Sequence, residues 1–297
     1  MKSFVFSDDL NLIPAIATFA RGLGEVDIYA PGPVPPAIKK YGASKIYTVN
    51  DPNLTDSIAD LLASRISKGE YQFGFIASTV NGRDMAGLLA SKSDTNSVAE
   101  ISSFELAGSS IRTKRFFFGG KSILEEESSS RIFTVSPGIA EPKEVEAESP
   151  VEQVSLSPSR ITVLSSEEKK SGGVDIEKAQ AIVSIGRGLG NKDKLSAIEP
   201  FASAINAVIA GSRPVCLDYH WLSEDRQVGL SGKKVRPKVY IALGISGQIQ
   251  HIAGMRGSKI VIAVNKDKTA PIFEECDYGI VGDMFDVLPK LLDGIKK

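Results

Sequence analysis

Histidine and cysteine are scarce in this 297-residue chain, with two of each, and tryptophan occurs once. Cys216 and Cys276 are too few and too far apart for a zinc site or a disulfide framework, and the two histidines add no metal-ligand spacing. A metal centre and a cross-linked secreted scaffold are therefore both excluded as organising principles. Charge of one sign is lacking too: 35 Lys plus Arg stand against 36 Asp plus Glu, a formal net charge of −1, which leaves no footprint for nucleic acid or an anionic membrane surface. No apolar run reaches the roughly 18 residues of a membrane helix, and the opening MKSFVFSDD reads as a strand rather than an export signal. The expectation is a cytoplasmic protein without a membrane span.

What is present is an α/β rhythm long enough for two domains, each able to bury a core. Ser3–Phe6, Glu25–Ala30, Lys45–Thr48 and Phe73–Ala77 read as strands, and Leu10–Ala20, Ala37–Tyr41 and Leu54–Ile66 as helices. Strands alternating with helices predict a parallel sheet covered on both faces. This half carries no GxGxxG, P-loop lysine or catalytic triad. Its best polar cluster is Asn81, Arg83 and Asp84 at a strand-to-helix turn, where Asp84 as a helix cap beside a solvated Arg83 is the plainer explanation. Past Ser91 the rhythm changes to shorter strands such as Arg115–Phe118 and Arg131–Val135, separated by the acidic EEESSS, with a solvated charge run at Lys143–Glu152. Ile161–Leu164 reads as one more strand. Ser165–Gly173, rich in small and charged residues, reads as a linker, giving domains 1–170 and 174–297.

The second half is organised around Val239–His251, VYIALGISGQIQH, which reads as strand, glycine turn and helix. Gly244 and Gly247 let a ligand approach the backbone, Ser246 adds a hydroxyl, and a helix start offers unpaired N–H groups. Alone, a strand ending at GxxG is more often a plain βα connection. Around it stand SIGRGLG (Ser184–Gly190), GSRPV (Gly211–Val215), RQVGLSGKKV (Arg226–Val235), VIAVNKD (Val261–Asp267) and APIFEECDYGIVGD (Ala270–Asp283). Leu195–Ala210 is predicted to be a single amphipathic helix, with Ile198, Phe201, Ala202, Ile205, Val208 and Ile209 at helical spacing. Gly211 would end it, leaving Ser212 and Arg213 on a connection into a strand Val215–Leu217, at the strand end where ligands seldom bind. Met284–Ile295 is a closing amphipathic helix.

In order and spacing these fragments resemble the C-terminal FAD-binding domain of the electron transfer flavoprotein alpha subunit (FixB) family. The resemblance is dense from about Ala181 onward; before that it rests on length, rhythm and the fragments NGRD and FFFGGK. It implies an N-terminal nucleotide-hydrolase-like parallel sheet and a C-terminal doubly wound domain that holds FAD without a covalent bond. It implies that Arg187 and Ser212 contact FAD, that Arg213 lies against the isoalloxazine ring and favours negative charge there, and that Val228, Gly229, Leu230 and Ser231 wrap the ring. The family usually has VGQTG where this chain has VGLSG, so Ser231 keeps a hydroxyl while Leu230 offers only its backbone. Contacts implied by the resemblance continue through Ser246, Gly247, Gln248, Ile249, Gln250 and His251, the last as a donor near the pyrimidine end. By residue type alone, a lone histidine at a helix start is more often capped or solvated. The resemblance further implies that Asn265 and Asp283 hold the adenosine side and that Met284 completes the set.

For function the resemblance implies an electron carrier rather than an enzyme with its own metabolite substrate. The implied partners are a beta subunit, in a heterodimer, with dehydrogenases and a quinone oxidoreductase as transient redox partners. Two other readings stay open: an electron-bifurcating subunit whose partner holds a second FAD, and a regulatory nucleotide-binding module without redox function.

Overall fold

A computed structural model gives the placement of residues 1–51, 53–108, 110–165 and 175–295. The backbone divides into two compact units, Met1–Ser166 and Glu167–Lys297. Of the expected linker, all but Ser165 lies outside the described residues.

The first unit opens with β1 (Lys2–Phe6), α1 (Ile13–Arg21), β2 (Glu25–Pro31), β3 (Lys45–Val49), α2 (Thr55–Ser67), β4 (Phe73–Ala77) and α3 (Val80–Lys92). There follow β5 (Ser97–Ile101), β6 (Ser103–Ala107), β7 (Ser110–Phe117), β8 (Ser122–Ser128), β9 (Ile132–Val135) and β10 (Val151–Gln153). Seven strands make one parallel sheet in the order β10-β3-β2-β1-β4-β9-β5. Alternation along β1 sends Val5 to the face covered by Ile13, Ile16 and Ala20 of α1, and Phe4 and Phe6 to the face covered by Ile58 and Leu62 of α2 and Met85 and Leu89 of α3. Both faces are thus dry, as a parallel sheet requires.

Three expectations fail in this unit. The acidic EEESSS is no spacer: Glu125, Glu126 and Glu127 belong to β8 of an antiparallel β6-β7-β8 meander, with Glu127 opposite Arg112 and Glu125 opposite Lys114 of β7, and Glu126 paired diagonally with Arg115. Opposite charges facing across strands stabilise a β pair that composition alone reads as loop. Ile161–Leu164 forms no strand. Asp84 is not the helix cap. Thr79 holds that place, its Oγ1 accepting from the Gly82 amide at 2.9 Å, while Asp84 accepts from Thr55 Oγ1 at 2.9 Å.

The second unit comprises β11 (Ala181–Ile185), α4 (Glu199–Ala204), β12 (Val208–Gly211), β13 (Val239–Leu243), α5 (Ile249–Met255), β14 (Ile260–Asn265), β15 (Tyr278–Val281) and α6 (Met284–Ile295). Its five strands are parallel in the order β12-β11-β13-β14-β15. The chain moves one way from β11 to β12 and the other way from β13 onward, so the winding reverses between β11 and β13. In an open sheet the crevice at such a reversal, at the C-terminal strand ends, is where ligands bind.

The long helix expected over Leu195–Ala210 does not exist. The chain forms a 3-10 turn at Lys192–Ala197 and the six-residue α4, and then Asn206, at φ 51°, breaks the helical path before strand β12. Asn tolerates the left-handed region and so ends helices. This correction matters for the site, because it places Ser212 and Arg213 beyond the C-terminal end of a strand rather than before one. Val215–Leu217 is accordingly no strand, but part of a wide helical turn at Pro214–Asp218.

Candidate functional site

The turns leaving β11, β12, β13 and β14 surround a cavity of about 640 Å³. That lies inside the roughly 300–1,000 Å³ of small-molecule sites. Two of the turns meet at the winding reversal. The Gly186 amide donates to the Leu243 carbonyl at 2.8 Å and the Gly188 amide to the Gly244 carbonyl at 3.1 Å. A Cβ on Gly186 would stand 2.2 Å from the Gly244 oxygen, so only glycine permits this approach. The glycines of GRGLG and GISG are thus spent first on packing one turn against the other.

Ten expected residues line the cavity: Arg187, Ser212, Arg213, Val228, Ser231, Ser246, Gln248, Gln250, His251 and Asn265. Arg187 and Arg213 are exposed, and their guanidiniums have no hydrogen bond or ion pair among the described residues. Two guanidiniums thus face the cavity uncompensated, with Asp267 the one carboxylate in its lining. Ser212 is fixed by its amide, which donates to the Ile185 carbonyl at 2.9 Å. Asn265 donates from Nδ2 to the Ile245 carbonyl at 2.8 Å and accepts the Asp267 amide at 3.0 Å, so its side chain pins the GISG turn from below.

Six expected residues lie outside the lining. Gly247, at φ 86°, packs on the next turn, where a Cβ would come within 2.2 Å of the Ile272 nitrogen. Gly229 and Leu230 run along the back of α5, the Leu230 amide donating to the Gln250 carbonyl at 2.6 Å while its side chain is 55% exposed. Ile249 begins α5. Met284 is buried beneath Gly244 in the core. Asp283 turns to its own neighbourhood: it accepts the Phe285 amide at 3.0 Å at the start of α6 and pairs with Lys266 at 2.8 Å, the lysine holding its carboxyl below the usual range.

Sequence reasoning missed Gln227, which is buried and donates from Nε2 to Ser231 Oγ at 3.1 Å, orienting that hydroxyl. The signal was its place directly before the VGLSG loop. Asp267 shapes its own turn, accepting from the Thr269 amide and hydroxyl at 2.9 and 2.7 Å, and it also lines the cavity.

Comparison with known proteins bears on what the cavity holds. Residues 9–159 match the profile of the electron transfer flavoprotein domain and residues 175–256 that of the electron transfer flavoprotein FAD-binding domain. The electron transfer flavoprotein subunit alpha of Mycobacterium leprae is 34% identical over 95% of this chain and 92% of its own length. That of Thermoanaerobacterium thermosaccharolyticum is 36% identical over 86% and 82%, and protein FixB of Escherichia coli 31% over 97% and 96%. The chain belongs to the electron transfer flavoprotein alpha subunit family. It is a flavoprotein subunit of electron transport, and its second unit carries the FAD-binding domain.

The residues present fit that cofactor. FAD needs cationic donors for its pyrophosphate, polar edges for its ring and flat apolar walls. Arg187 can supply the first and Arg213 a fixed charge beside the ring, the hydroxyls of Ser212, Ser231 and Ser246 can supply the second, and Val228, Ile245, Pro214 and Ala270 the third. One buried atom also waits for a partner. His251 is 7% exposed; its Nε2 lies 2.8 Å from the Tyr240 hydroxyl, while Nδ1 makes no completed hydrogen bond. Burial pushes its pKa down to about 4 against the smaller opposing pull of the Val228 backbone, so the ring is neutral at physiological pH. The expected donor is therefore an uncharged imidazole in a dry site, where a hydrogen bond counts for more than in water.

Among the described residues no helix is long and apolar enough to cross a membrane, and no cluster of His, Cys, Asp and Glu is arranged to hold a metal ion.

Proposed function

We propose that this chain is the FAD-holding half of a heterodimer with a beta subunit, and that it passes electrons from dehydrogenases to a downstream acceptor such as a quinone oxidoreductase. The observation that carries this reading is the pair of uncompensated guanidiniums, Arg187 and Arg213, at the winding reversal of a parallel sheet. The free thiols Cys216 and Cys276 accord with a reducing, cytoplasmic setting.

Bound FAD supplies the redox chemistry itself. The chain's residues bind and orient it. Arg187 is assigned to the phosphates, which a planar guanidinium can grip with two parallel donors. Arg213 is assigned to the ring, where its fixed charge favours added negative charge. Gln227 holds Ser231 in place, and Asn265 holds the turn that carries Ser246.

Co-expression with a beta-type subunit tests the reading. The expected product is a yellow heterodimer that releases flavin on denaturation. One FAD per heterodimer corresponds to simple transfer; a second would make this the subunit of a bifurcating assembly. A complex that stays colourless after added FAD would refute the carrier role and leave a nucleotide-binding module.

A further inference from the structure

Tyr240 lies on β13, wholly buried, one side of its phenol against His251 and the other near Ser184 of β11. Nothing in the flavin-binding role so far uses it. The hydrogen bond it makes, 2.8 Å to Nε2 of His251, has two possible directions, and they present opposite chemistry at the cavity.

The surroundings decide the direction. The backbone group beside the free edge of His251 belongs to Val228, whose N–H already donates to the Gly211 carbonyl at 2.9 Å. What Val228 has left to offer is its carbonyl, an acceptor. A lone pair on Nδ1 facing that carbonyl would be repelled, whereas an N–H is attracted. The hydrogen therefore sits on Nδ1, Nε2 carries the lone pair, and the phenol has to donate. Ser184 fits the same order, since its buried hydroxyl has no hydrogen-bond partner among the described residues and lies near the phenol oxygen, which donation leaves able to accept.

We propose that Tyr240 is a positioning residue: it donates its phenolic hydrogen to Nε2 of His251 and so commits the imidazole to the Nδ1–H tautomer. With Nε2 tied down, Nδ1–H is the one polar hydrogen of the ring; it is buried beside the Val228 carbonyl and is shared with any ligand acceptor that reaches it. A ligand atom that meets it must be an acceptor, and a ligand donor at that point would be turned away. For FAD this makes His251 a fixed, neutral donor to an acceptor atom, a step that rests on the FAD assignment above. Burial raises the phenol's pKa well above its ordinary value, which keeps the donated hydrogen in place throughout the physiological range.

The scarcity of histidine makes the test direct. With the full chain labelled with 15N at histidine, only His220 and His251 report, and His251→Gln identifies which signals belong to His251. In the wild-type chain without FAD the unprotonated nitrogen should be Nε2, recognised by coupling to both ring C–H hydrogens, and the Tyr240 hydroxyl hydrogen should couple to it through the hydrogen bond. Tyr240→Phe keeps the ring and removes the donor. It should yield a mixture of tautomers and weaken FAD binding by about two- to tenfold, the worth of one ordinary hydrogen bond. An Nε2–H tautomer in the wild-type chain would overturn the proposal, as would a Tyr240→Phe chain with the wild-type tautomer. If Tyr240→Phe fails to fold, the tautomer and through-bond coupling of the wild-type chain still decide. Failure of FAD to bind the wild-type protein would strike the FAD assignment instead, and leaves the tautomer readable.

Discussion

The Arg213 guanidinium has no partner among the described residues, so its charge is available to whatever occupies the cavity. Removing it should make the bound flavin harder to reduce. Solvent screens an exposed charge, so Arg213→Ala should lower the midpoint potential by an amount on the order of tens of millivolts, with Arg213→Lys restoring part of it. Redox titration followed by visible absorbance checks this, with Arg187→Ala as the comparison expected to weaken binding more than it moves the potential. Asn265 and Asp283 look alike in sequence but differ in the fold. Asn265→Ala unpins the GISG turn and should cost roughly 1–3 kcal/mol of FAD affinity, whereas Asp283→Ala releases Lys266 and the start of α6 and should leave affinity nearly as it was. Equal losses in a fluorescence titration would return Asp283 to the binding site. His251 gives a pH signature. Its folded pKa of about 4 lies below the ordinary 6.5, so the unfolded chain takes up a proton that the folded one refuses. Stability is then full above pH 6.5 and should fall by about 3 kcal/mol as pH drops toward 4, a slope that His251→Gln should remove from denaturant titrations of the FAD-free chain.

At the scale of elements, strand periodicity and glycine turns were enough to anticipate β1 to β4 and the β13 to α5 turn. The stretch before Arg213 was misread, because Ile198, Phe201, Ile205 and Ile209 keep helical spacing across a break that no apolar pattern registers. The break lies in Asn206 and in the β-rich Val208–Ile209 after it, where chain conformation rather than hydrophobicity carries the information. The same limit hid Gln227, whose role depends on Ser231 folding back onto it. Leu230 and Gly247 show the converse: both sit in motifs that the sequence marks, but tertiary packing directs one outward and the other against Ile272. Asn206 is testable by itself. Asn206→Gly should be near neutral and Asn206→Val should destabilise the chain by about 1–2 kcal/mol, since a β-branched residue resists φ 51°.

For the whole molecule, two parallel sheets give two winding reversals, but their chemistry differs. At the reversal of the first sheet, between β1 and β4, Asp8 and Asp9 follow β1, and Thr79 donates its hydroxyl hydrogen to Asp8 at 2.5 Å. Carboxylates there repel a phosphate as surely as a guanidinium such as that of Arg187 attracts one. The loaded chain should accordingly yield one FAD and no additional nucleotide when the denatured protein is resolved by chromatography, and a second nucleotide released from this chain would count against the contrast. In the second sheet, the turns after β11 and β13 are joined by backbone hydrogen bonds of 2.8 and 3.1 Å, with no side chain between them. That wall is completed by the chain's own backbone, so none of the binding free energy goes into assembling it. As far as this wall governs entry, capture of FAD is a matter of encounter rather than of folding around the guest, and its observed rate should rise in proportion to the FAD concentration without levelling off.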